Sequence, residues 1–409
     1  MNAKVTVVGI GADGWDSIPA AQQRLVREAE VVLGGQRHLE MLPSIPAMLE
    51  PWPSPLVEGL PHVLDKFSGK RIVVIASGDP LVSGIATTLI NLIGAENVDV
   101  QPGISSVSLA RARMGWSAES ADVVTVVGRD HDVVRRFFSP GRRLIVLSSD
   151  GTSPAEVAAR LVDAGFGPSR VVMLSNLGST QERRVERMAT QWEIARGPEL
   201  NVVCIECRPD GHRKTFHPAF TTVPGLPDDA FENDGQITKR DLRIAALARL
   251  APCPGELLWD LGAGAGSIAI EWLRSDPRCT AIAVERDDSR IDMIKHNASK
   301  LGVPGLEIVH GQVPESLSGL PTPDAIFVGG GATAPGALEL CWEALAPGGR
   351  LVVHAVTLET EVVLVDHHHR FGGELTRISV ETAGPLGGFT GWAPARPVVQ
   401  WSVAKPFDS

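Results

Sequence analysis

A glycine-rich stretch at residues 256–274, ELLWDLGAGAGSIAIEWLR, constrains this chain more than any other part of its sequence. An apolar run ends there in a carboxylate, Asp260, and glycines follow at alternate positions before a pattern typical of a helix. A strand, a glycine turn and a helix in this order form nucleotide-type sites at the ends of parallel strands. Glycines let the backbone approach a ligand closely, and the start of a helix offers free N–H groups. The sequence therefore predicts a cofactor site built on Asp260, Gly262, Gly264 and Gly266.

Two classes of cofactor fit this stretch. Residues 264–269 satisfy the loose GxGxxG/A pattern of dinucleotide sites. Asp260 would repel a pyrophosphate, whereas it would attract a sulfonium or an amino group. A second apolar strand, TAIAVE, ends in Glu285, whose carboxylate can accept hydrogen bonds from both ribose hydroxyls. The pattern favours S-adenosyl-L-methionine, and a dinucleotide or a purely structural glycine turn are the alternatives.

The composition of the 409 residues limits the class of protein. Their number predicts about two domains, and an apolar content of 44% is enough for packed cores. A net charge of −10 argues against a nucleic-acid partner, and no apolar run is long enough to cross a membrane. Five cysteines, and a start that leads directly into an apolar strand, are typical of a cytoplasmic protein.

No metal centre is expected. Cys204 and Cys207 form a CxxC pair in a predicted strand, where alternation points the two thiols to opposite faces. Residues 367–369 are three adjacent histidines on a predicted helix, so their side chains point in different directions. We interpret the cysteines as structural and the histidines as a solvated surface run.

The first half of the chain repeats one theme, an apolar strand followed by a glycine loop and a helix. The loops contain Gly9, Gly11 and Gly14, then SGDP at residues 77–80, then Ser105 and Ser106. The first loop matches GxGxxG, but no helix continues it, so we do not predict a dinucleotide there. Alternating strands and helices predict an α/β fold, with the loops gathered where the parallel strands end.

A break in the pattern separates the two halves. Residues 208–235 are rich in proline and charge and show no sustained periodicity, which predicts domains at 1–212 and 213–409. Thr238 then begins a sequence resembling a capping box, so we predict that it caps the next helix. About seven strands follow the break, and the segments ISVETAG and PVVQWSVAK are predicted to close the sheet.

These motifs carry a family resemblance across nearly the whole chain. The first half resembles the tetrapyrrole (precorrin) methylase family through GIGADGW, GGQRHLE, SGDPLVSG, PGISSVSLARARMGW, VVGR and NLGSTQER. The second half resembles that family's partner module through ITKRDLR, LLWDLGAGAGSIAIEW, AIAVERDDSR, FVGGG, GGRLVVHAVTLETE and PVVQWSVAK. Their fusion in this order resembles the decarboxylating precorrin-6Y C5,15-methyltransferases of aerobic cobalamin synthesis.

The resemblance implies an N-terminal tetrapyrrole methylase fold and a C-terminal Rossmann-like, seven-stranded methyltransferase fold. It implies methylation of ring carbon 5 by the first domain, and methylation of carbon 15 with loss of the ring C acetate carboxyl by the second. Two molecules of S-adenosyl-L-methionine per chain are expected. In the first domain the cofactor contacts would be Gly78, Asp79, Pro80, Ser105, Ser106 and Leu177. In the second they would be Thr238, Asp260, Gly262, Gly264, Gly266, Glu285 and Gly329.

The sequence departs from the family pattern at three places. VVGR at residues 126–129 stands where the family often has HGR, so no histidine serves there. Gln312 replaces a frequent acid, and its amide oxygen can still accept a hydrogen bond from the adenine amino group. His354 replaces a common asparagine before VTLE, beside the expected substrate pocket.

The implied chemistry requires an acid and local cations. Methyl transfer mainly needs positioning and exclusion of water, whereas decarboxylation leaves an electron pair that protonation must quench. A polycarboxylate tetrapyrrole needs cations to bind an acidic protein. We therefore predict catalytic roles for His354, Lys239 and Arg243. Further candidate cations are Arg240, Arg111, Arg113 and Arg129.

Two other functions fit parts of the sequence. A dinucleotide-dependent oxidoreductase acting on a tetrapyrrole would use the glycine loops, although Asp260 argues against it. A tetrapyrrole carrier without turnover would not need two cofactor sites. The sequence leaves open whether the chain forms a homo-oligomer.

Overall fold

The computed structural model describes residues 4–211 and 221–407. They fall into two compact units, residues 4–131 with 140–211 and residues 132–139 with 221–407. The predicted single division between residues 212 and 213 therefore does not account for one short segment of the first half. The short segment Asp132–Ser139 leaves the first unit and belongs to the second.

The first unit contains two five-stranded sheets within the described residues. The first has the order β3-β2-β4-β1-β5 and is parallel, and the second, β6-β7-β10-β8-β9, is mixed. The strands are β1 Val5–Ile10, β2 Val31–Gly34, β3 Met48–Pro51, β4 Ile72–Ser77, β5 Val98–Gln101, β6 Asp122–Thr125, β7 Arg143–Leu147, β8 Arg170–Ser175, β9 Arg183–Met188 and β10 Asn201–Glu206. The α-helices are α1 Ala20–Glu28, α2 Gln36–Glu40, α3 Leu56–Lys66, α4 Ile85–Ile93, α5 Ser106–Met114 and α6 Ser153–Asp163.

The second unit contains a seven-stranded sheet in its described part, which confirms the predicted strand number. Its strands are β11 Leu257–Leu261, β12 Thr280–Glu285, β13 Glu307–His310, β14 Ala325–Val328, β15 Arg350–Ala355, β16 Glu374–Ile378 and β19 Val398–Ala404, while β17 Glu381–Leu386 and β18 Phe389–Pro394 form a separate hairpin. The helices are α7 Arg240–Leu250, α8 Ser267–Ser275, α9 Asp288–Lys300, α10 Ala337–Ala344 and α11 Leu358–Phe371. The order is β13-β12-β11-β14-β15-β19-β16, with β19 antiparallel to both of its neighbours.

Helices cover both faces of this sheet. One apolar core joins the sheet to α7, α8 and α9, and the other joins it to α10 and α11. Trp259, Trp272 and Trp401 are among the largest fully or nearly fully buried side chains. Burial on both faces explains why the parallel strands read as continuous apolar runs. The predicted α/β class is confirmed for both halves.

Three local predictions are wrong. The N-cap of α7 is Lys239, without a side-chain cap hydrogen bond, so Thr238 does not cap that helix. The segment ISVETAG is not one closing strand, because it begins at the end of β16 and continues into the hairpin strand β17. His367 is not a solvated histidine, since it is buried and its Nδ1 lies 2.9 Å from the carbonyl oxygen of Val363.

Candidate functional sites

The loops after β1, β4 and β5 meet at one edge of the first sheet, because these parallel strands are neighbours. The Gly78 N–H donates to the Ile10 carbonyl at 2.8 Å, and the Gly103 N–H donates to the Gly78 carbonyl at 3.1 Å. A Cβ on Gly9 would lie 2.0 Å from the Gly78 carbonyl oxygen. Only glycine therefore allows these backbones to approach so closely.

A cavity of about 340 Å³ opens at this edge. Its lining includes most of the residues predicted for the first cofactor site: Gly78, Asp79, Ser105, Ser106 and Leu177. Pro80 is not among the lining residues. Its carbonyl accepts a hydrogen bond from the Ala86 N–H at 3.2 Å, so Pro80 helps to fix the start of α4.

Sequence reasoning missed several residues of this cavity. Arg37, His38, Trp52 and Asn201 also line it. Arg37 Nη2 lies 2.8 Å from His38 Nε2, and because a guanidinium can only donate, Nε2 must accept. Burial, and secondarily the Arg37 charge, lowers the pKa of His38 to about 4, so the imidazole is neutral at pH 7. The motif GGQRHLE contains both residues, but nothing in the sequence alone shows that its helix borders the cavity.

The glycine turn of the second unit follows β11, at the point where chain connections diverge toward β12 and β14. β11 pairs in parallel with both strands, and ligands bind at such switch points of open α/β sheets. A Cβ on Gly262 would lie 2.8 Å from the Gly330 nitrogen. A Cβ on Gly264 would lie 2.7 Å from the Gln236 carbonyl oxygen. The turn is therefore a cradle of close-packed backbone, which fits a cofactor that needs bare N–H groups.

Asp260 lies at the floor of this turn and is buried. Its Oδ2 accepts a hydrogen bond from the Ala269 N–H of α8 at 3.0 Å. Burial raises the pKa of Asp260 to about 7; the Ala269 hydrogen bond opposes this shift and the Glu285 charge adds to it. A buried carboxyl with a pKa near neutrality is well suited to respond to a cationic ligand.

Glu285 ends β12 and is also buried. One of its oxygens accepts from the Gly264 N–H at 2.8 Å, and the other accepts from the N–H groups of Arg286 and Asp287 at 2.9 and 3.1 Å. A carboxylate has about four acceptor positions, so capacity remains for a hydroxyl. Glu285 thus holds the glycine turn in addition to its predicted ribose contact.

Two of the remaining predicted cofactor residues follow other strands of the same sheet, and the third precedes α7. Gln312 is exposed after β13, and its carbonyl accepts from the Ser316 N–H at 3.0 Å. Gly329 follows β14 and donates to the Leu261 carbonyl at 2.9 Å. Thr238 lies two residues beyond Gln236, whose carbonyl packs over Gly264. Their placement is compatible with cofactor contacts, which stay predictions.

His354 lies near the end of β15, on the edge where the glycine turn is. Its Nε2 lies 3.0 Å from Gln400 Oε1, an atom that can only accept, so Nε2 carries the proton. Its ring packs edge-on against Phe327, with centroids 5.0 Å apart. Burial lowers the pKa of His354, although the Gln400 hydrogen bond opposes the shift. The imidazole is therefore neutral at pH 7 and has its lone pair on Nδ1.

Lys239 lies at the start of α7. The opposite end of this helix is fixed by Arg350, the first residue of β15. Its Nε donates to the Leu250 carbonyl at 2.9 Å. An 11-residue helix spans about 16 Å, so its start reaches toward the edge where His354 lies. The Lys239 side chain is 57% exposed and lies 3.7 Å from Asp228. It is accessible to an anionic substrate.

The prediction that Arg243 is catalytic is corrected by its burial. Its side chain is 0% exposed, and its Nε donates to Glu271 at 2.5 Å. Its other nitrogens donate to Asp228 and to the carbonyls of Thr238 and Leu226. A guanidinium enclosed by four acceptors cannot reach a substrate carboxylate. Arg243 instead ties the chain before α7 to α8.

We expect S-adenosylmethionine affinity at the second unit to fall as the pH drops below about 7. Asp260 has a pKa of about 7, and a cation bound beside it favours its ionised form, so binding must expel a proton at lower pH. The dissociation constant should rise by up to about tenfold per pH unit below that pKa. Isothermal titration calorimetry between pH 5.5 and 8.5 measures this slope, and a flat profile would contradict it.

Asp260→Asn is the control for this prediction, because it removes the titrating group and should abolish the slope. Without ligand, the raised pKa of Asp260 makes the free energy of unfolding depend on pH, with greater stability at low pH. The contribution of neutral Asp260 to stability is fully present below its unfolded pKa of about 4 and is lost as the pH rises through about 7.

Two family models match the chain. Tetrapyrrole (Corrin/Porphyrin) Methylases matches residues 4–191, and Precorrin methyltransferase domain matches residues 229–405. Each match falls largely on one of the two units. No comparison supports a dinucleotide-dependent oxidoreductase.

Curated relatives match over almost the entire chain. A precorrin-6Y C(5,15)-methyltransferase (decarboxylating) from a Sinorhizobium species is 46% identical over 402 residues, which cover 98% of this chain and 96% of the relative. The protein of that name from Mycobacterium tuberculosis is 43% identical over 408 residues, 98% of this chain and 100% of the relative. A probable cobalt-precorrin-6B C(15)-methyltransferase (decarboxylating) from Saccharolobus solfataricus is 34% identical over 144 residues, 34% of this chain and 72% of that protein. The chain therefore belongs to the decarboxylating precorrin-6Y C5,15-methyltransferases, a family of S-adenosylmethionine-dependent C-methyltransferases of cobalamin biosynthesis.

Proposed function

We propose that each chain binds two molecules of S-adenosylmethionine and uses them to methylate carbons 5 and 15 of a precorrin, with loss of the ring C acetate carboxyl. One observation supports this above the others. Two unrelated glycine-loop sites, around Gly78 and around Gly264, lie at the ends of parallel strands in separate units. We assign the tetrapyrrole methylase domain to residues 1–212 and the Rossmann-like methyltransferase and decarboxylase domain to residues 213–409, with the exception that residues 132–139 pack in the second unit.

We assign carbon 5 to the first domain and carbon 15 with decarboxylation to the second. The relative from Saccharolobus solfataricus supports placing both steps in a single domain, because a protein that aligns with 34% of this chain is named for both C15 methylation and decarboxylation. Pairing these steps in one site is chemically economical, since one bound orientation can serve the acetate and carbon 15.

The residues of the second site have distinct roles in this scheme. S-adenosylmethionine, when bound, supplies an electrophilic methyl group. Asp260 would hold its positive charge, Glu285 its ribose, and the bare backbone at Gly262 and Gly264 would let it come close. Lys239 would bind a substrate carboxylate. Loss of carbon dioxide leaves an electron pair that needs a proton, and the Nδ1 lone pair of His354 would first take a proton from solvent and then pass it to that carbon.

The cellular setting follows from the thiols and is also a proposal. All five cysteines are free, and four of them are buried. Unpaired thiols suit a reducing compartment, so we place the reaction in the cytoplasm. Within residues 4–211 and 221–407, no helix has the length and apolar character that a membrane span requires.

Titration calorimetry of the full chain tests the proposed stoichiometry. We expect two binding events per chain with S-adenosylmethionine and none with NADH or NADPH. Gly9→Ala should remove the first event only, because its Cβ would meet the Gly78 carbonyl at 2.0 Å. Gly264→Ala should remove the second only, because its Cβ would meet the Gln236 carbonyl at 2.7 Å. One event per chain in the unmodified protein would refute two sites.

A further inference from the structure

A segment before α7 covers the glycine turn of the second unit. Residues 225–238, here called the arm, run across α8 and α9 before the helix begins. The arm touches the turn at Gln236, whose carbonyl leaves no room for a side chain on Gly264. The arm also carries Thr238, one of the predicted cofactor residues. Whatever fixes the arm against the turn therefore fixes one wall of the second site.

Asn297 of α9 joins the arm to the turn directly. Its side chain is 0% exposed. Its Oδ1 accepts from the Glu232 N–H at 2.8 Å, while its Nδ2 donates to the Glu232 carbonyl at 2.9 Å and to the Ala265 carbonyl at 3.0 Å. A primary amide has two donor hydrogens and one acceptor oxygen, and all three are used here. Ala265 lies between Gly264 and Gly266, so this amide connects the arm to the centre of the turn.

A buried ion pair anchors both ends of the same arm. Glu271 accepts from the N–H groups of Gly225 and Leu226, the latter at 3.1 Å. Its partner Arg243 donates to the Thr238 carbonyl at 2.5 Å. The ends of the arm are thus attached to α7 and α8, but neither attachment touches the turn. The contact with the turn at Ala265 is left to Asn297.

We infer that Asn297 is a positioning residue for the second S-adenosylmethionine site, which acts by fixing the arm and the glycine turn at one separation. This inference rests on the proposed cofactor site of the second unit. Asn297 differs from residues that hold the arm to α9 without contacting the glycine turn. Lys300, one turn further along α9, is such a residue, because its Nζ donates to the Ala230 carbonyl at 3.0 Å.

The experiment compares three variants of the full chain by calorimetry with S-adenosylmethionine. Asn297→Leu keeps the same number of side-chain heavy atoms and the same branching at Cγ, and it removes all three hydrogen bonds. Asn297→Asp keeps the acceptor for the Glu232 N–H but loses both donors, to the Glu232 carbonyl and to the Ala265 carbonyl. Lys300→Met is the matched control, because it releases the arm from the same helix without changing the link to the turn. The first cofactor site of each variant serves as an internal reference.

We expect the dissociation constant of the second site to rise about tenfold or more in both Asn297 variants and less than about threefold in Lys300→Met. The Asn297 variants lose the buried hydrogen bond to Ala265, whereas Lys300→Met loses a part-buried one that does not reach the turn. The first site should be unchanged throughout. For carbon 15 methylation, KM for S-adenosylmethionine should rise while kcat at saturation changes little. Should Asn297→Leu fail to fold, Asn297→Asp carries the comparison.

Two results would overturn the inference. If the Asn297 variants lose thermal stability but bind at the second site with unchanged affinity, the residue is structural only. If Lys300→Met weakens the second site as much as the Asn297 variants do, the arm matters but its link to Ala265 does not. Absence of second-site binding in the unmodified chain is a different result, because it removes the proposed function itself and the inference with it.

Discussion

Arg243→Met is expected to lower the free energy of unfolding of the second unit by about 3–5 kcal/mol, because it strips a buried carboxylate of its cation. Glu271 is 2% exposed, and after the substitution it would keep only the N–H groups of Gly225 and Leu226. Urea unfolding followed by tryptophan fluorescence measures the effect, since Trp259, Trp272 and Trp401 are buried in this unit. The transition of the first unit should stay where it is.

Two further variants make this prediction specific. Arg249→Met removes an exposed arginine of the same helix, which pairs with Glu374 at 3.2 Å, and should cost less than about 1 kcal/mol. The double variant Arg243→Met with Glu271→Leu should recover only part of the loss, because apolar residues can replace a buried ion pair but the N–H groups of Gly225 and Leu226 lose their acceptor. If Arg243→Met instead abolished turnover and left stability intact, a direct role in catalysis would have to be restored.

Glu285→Ala should weaken S-adenosylmethionine binding at the second site by at least tenfold and leave the first site unchanged. The carboxylate is the predicted acceptor of the ribose hydroxyls, and each hydrogen bond to a charged group contributes about 1.5–3 kcal/mol. It also holds the Gly264 N–H at 2.8 Å, so the turn itself should loosen. With a precorrin substrate, the variant should add one methyl group and release no carbon dioxide, which mass spectrometry detects.

Glu307→Ala is the control for this prediction, because it removes an exposed carboxylate from the neighbouring strand β13 and should change neither affinity nor product. Unchanged second-site affinity in Glu285→Ala would mean that the acid after β12 does not contact the cofactor. Release of carbon dioxide at the normal rate, together with lost affinity, would contradict the assignment of decarboxylation to the second domain.

The glycine turn was predictable because its determinants are local. Asp260, Gly262 and Gly264 lie within five residues, and a strand, a turn and a helix impose their geometry with little help from distant segments. The burial that raises the pKa of Asp260 is of a different kind. It depends on how the sheet and its helices pack around the carboxyl, and the charge of Glu285 on the next strand adds to the pKa shift. The sequence indicated the carboxylate but not its protonation.

Arg243 shows why the sequence could not assign the cations. Lys239 and Arg243 are four residues apart, and both precede the cofactor turn in a basic stretch. Their environments differ because Glu271, 28 residues further on, lies under one and not under the other. The same limit applies to His38, whose contact with the first cavity depends on how α2 packs beside β4. The burial of Arg243 and the position of His38 depend on contacts between segments that are distant in sequence, and a local sequence pattern does not predict such contacts.

The segment Asp132–Ser139 has a consequence for any attempt to separate the two halves. The chain enters the second unit at residue 132, returns at residue 140 and leaves the first unit again after Gly211. A single proteolytic nick between residues 211 and 221 therefore yields two fragments that do not coincide with the two units. The N-terminal fragment keeps Asp132, which hydrogen-bonds to Ser299 of α9, and Arg136, whose backbone nitrogen would lie 2.4 Å from a Cβ on Gly302. The nicked protein should migrate as one species on gel filtration. The segment Asp132–Ser139 is covalently part of the N-terminal fragment, but it packs against residues of the C-terminal fragment.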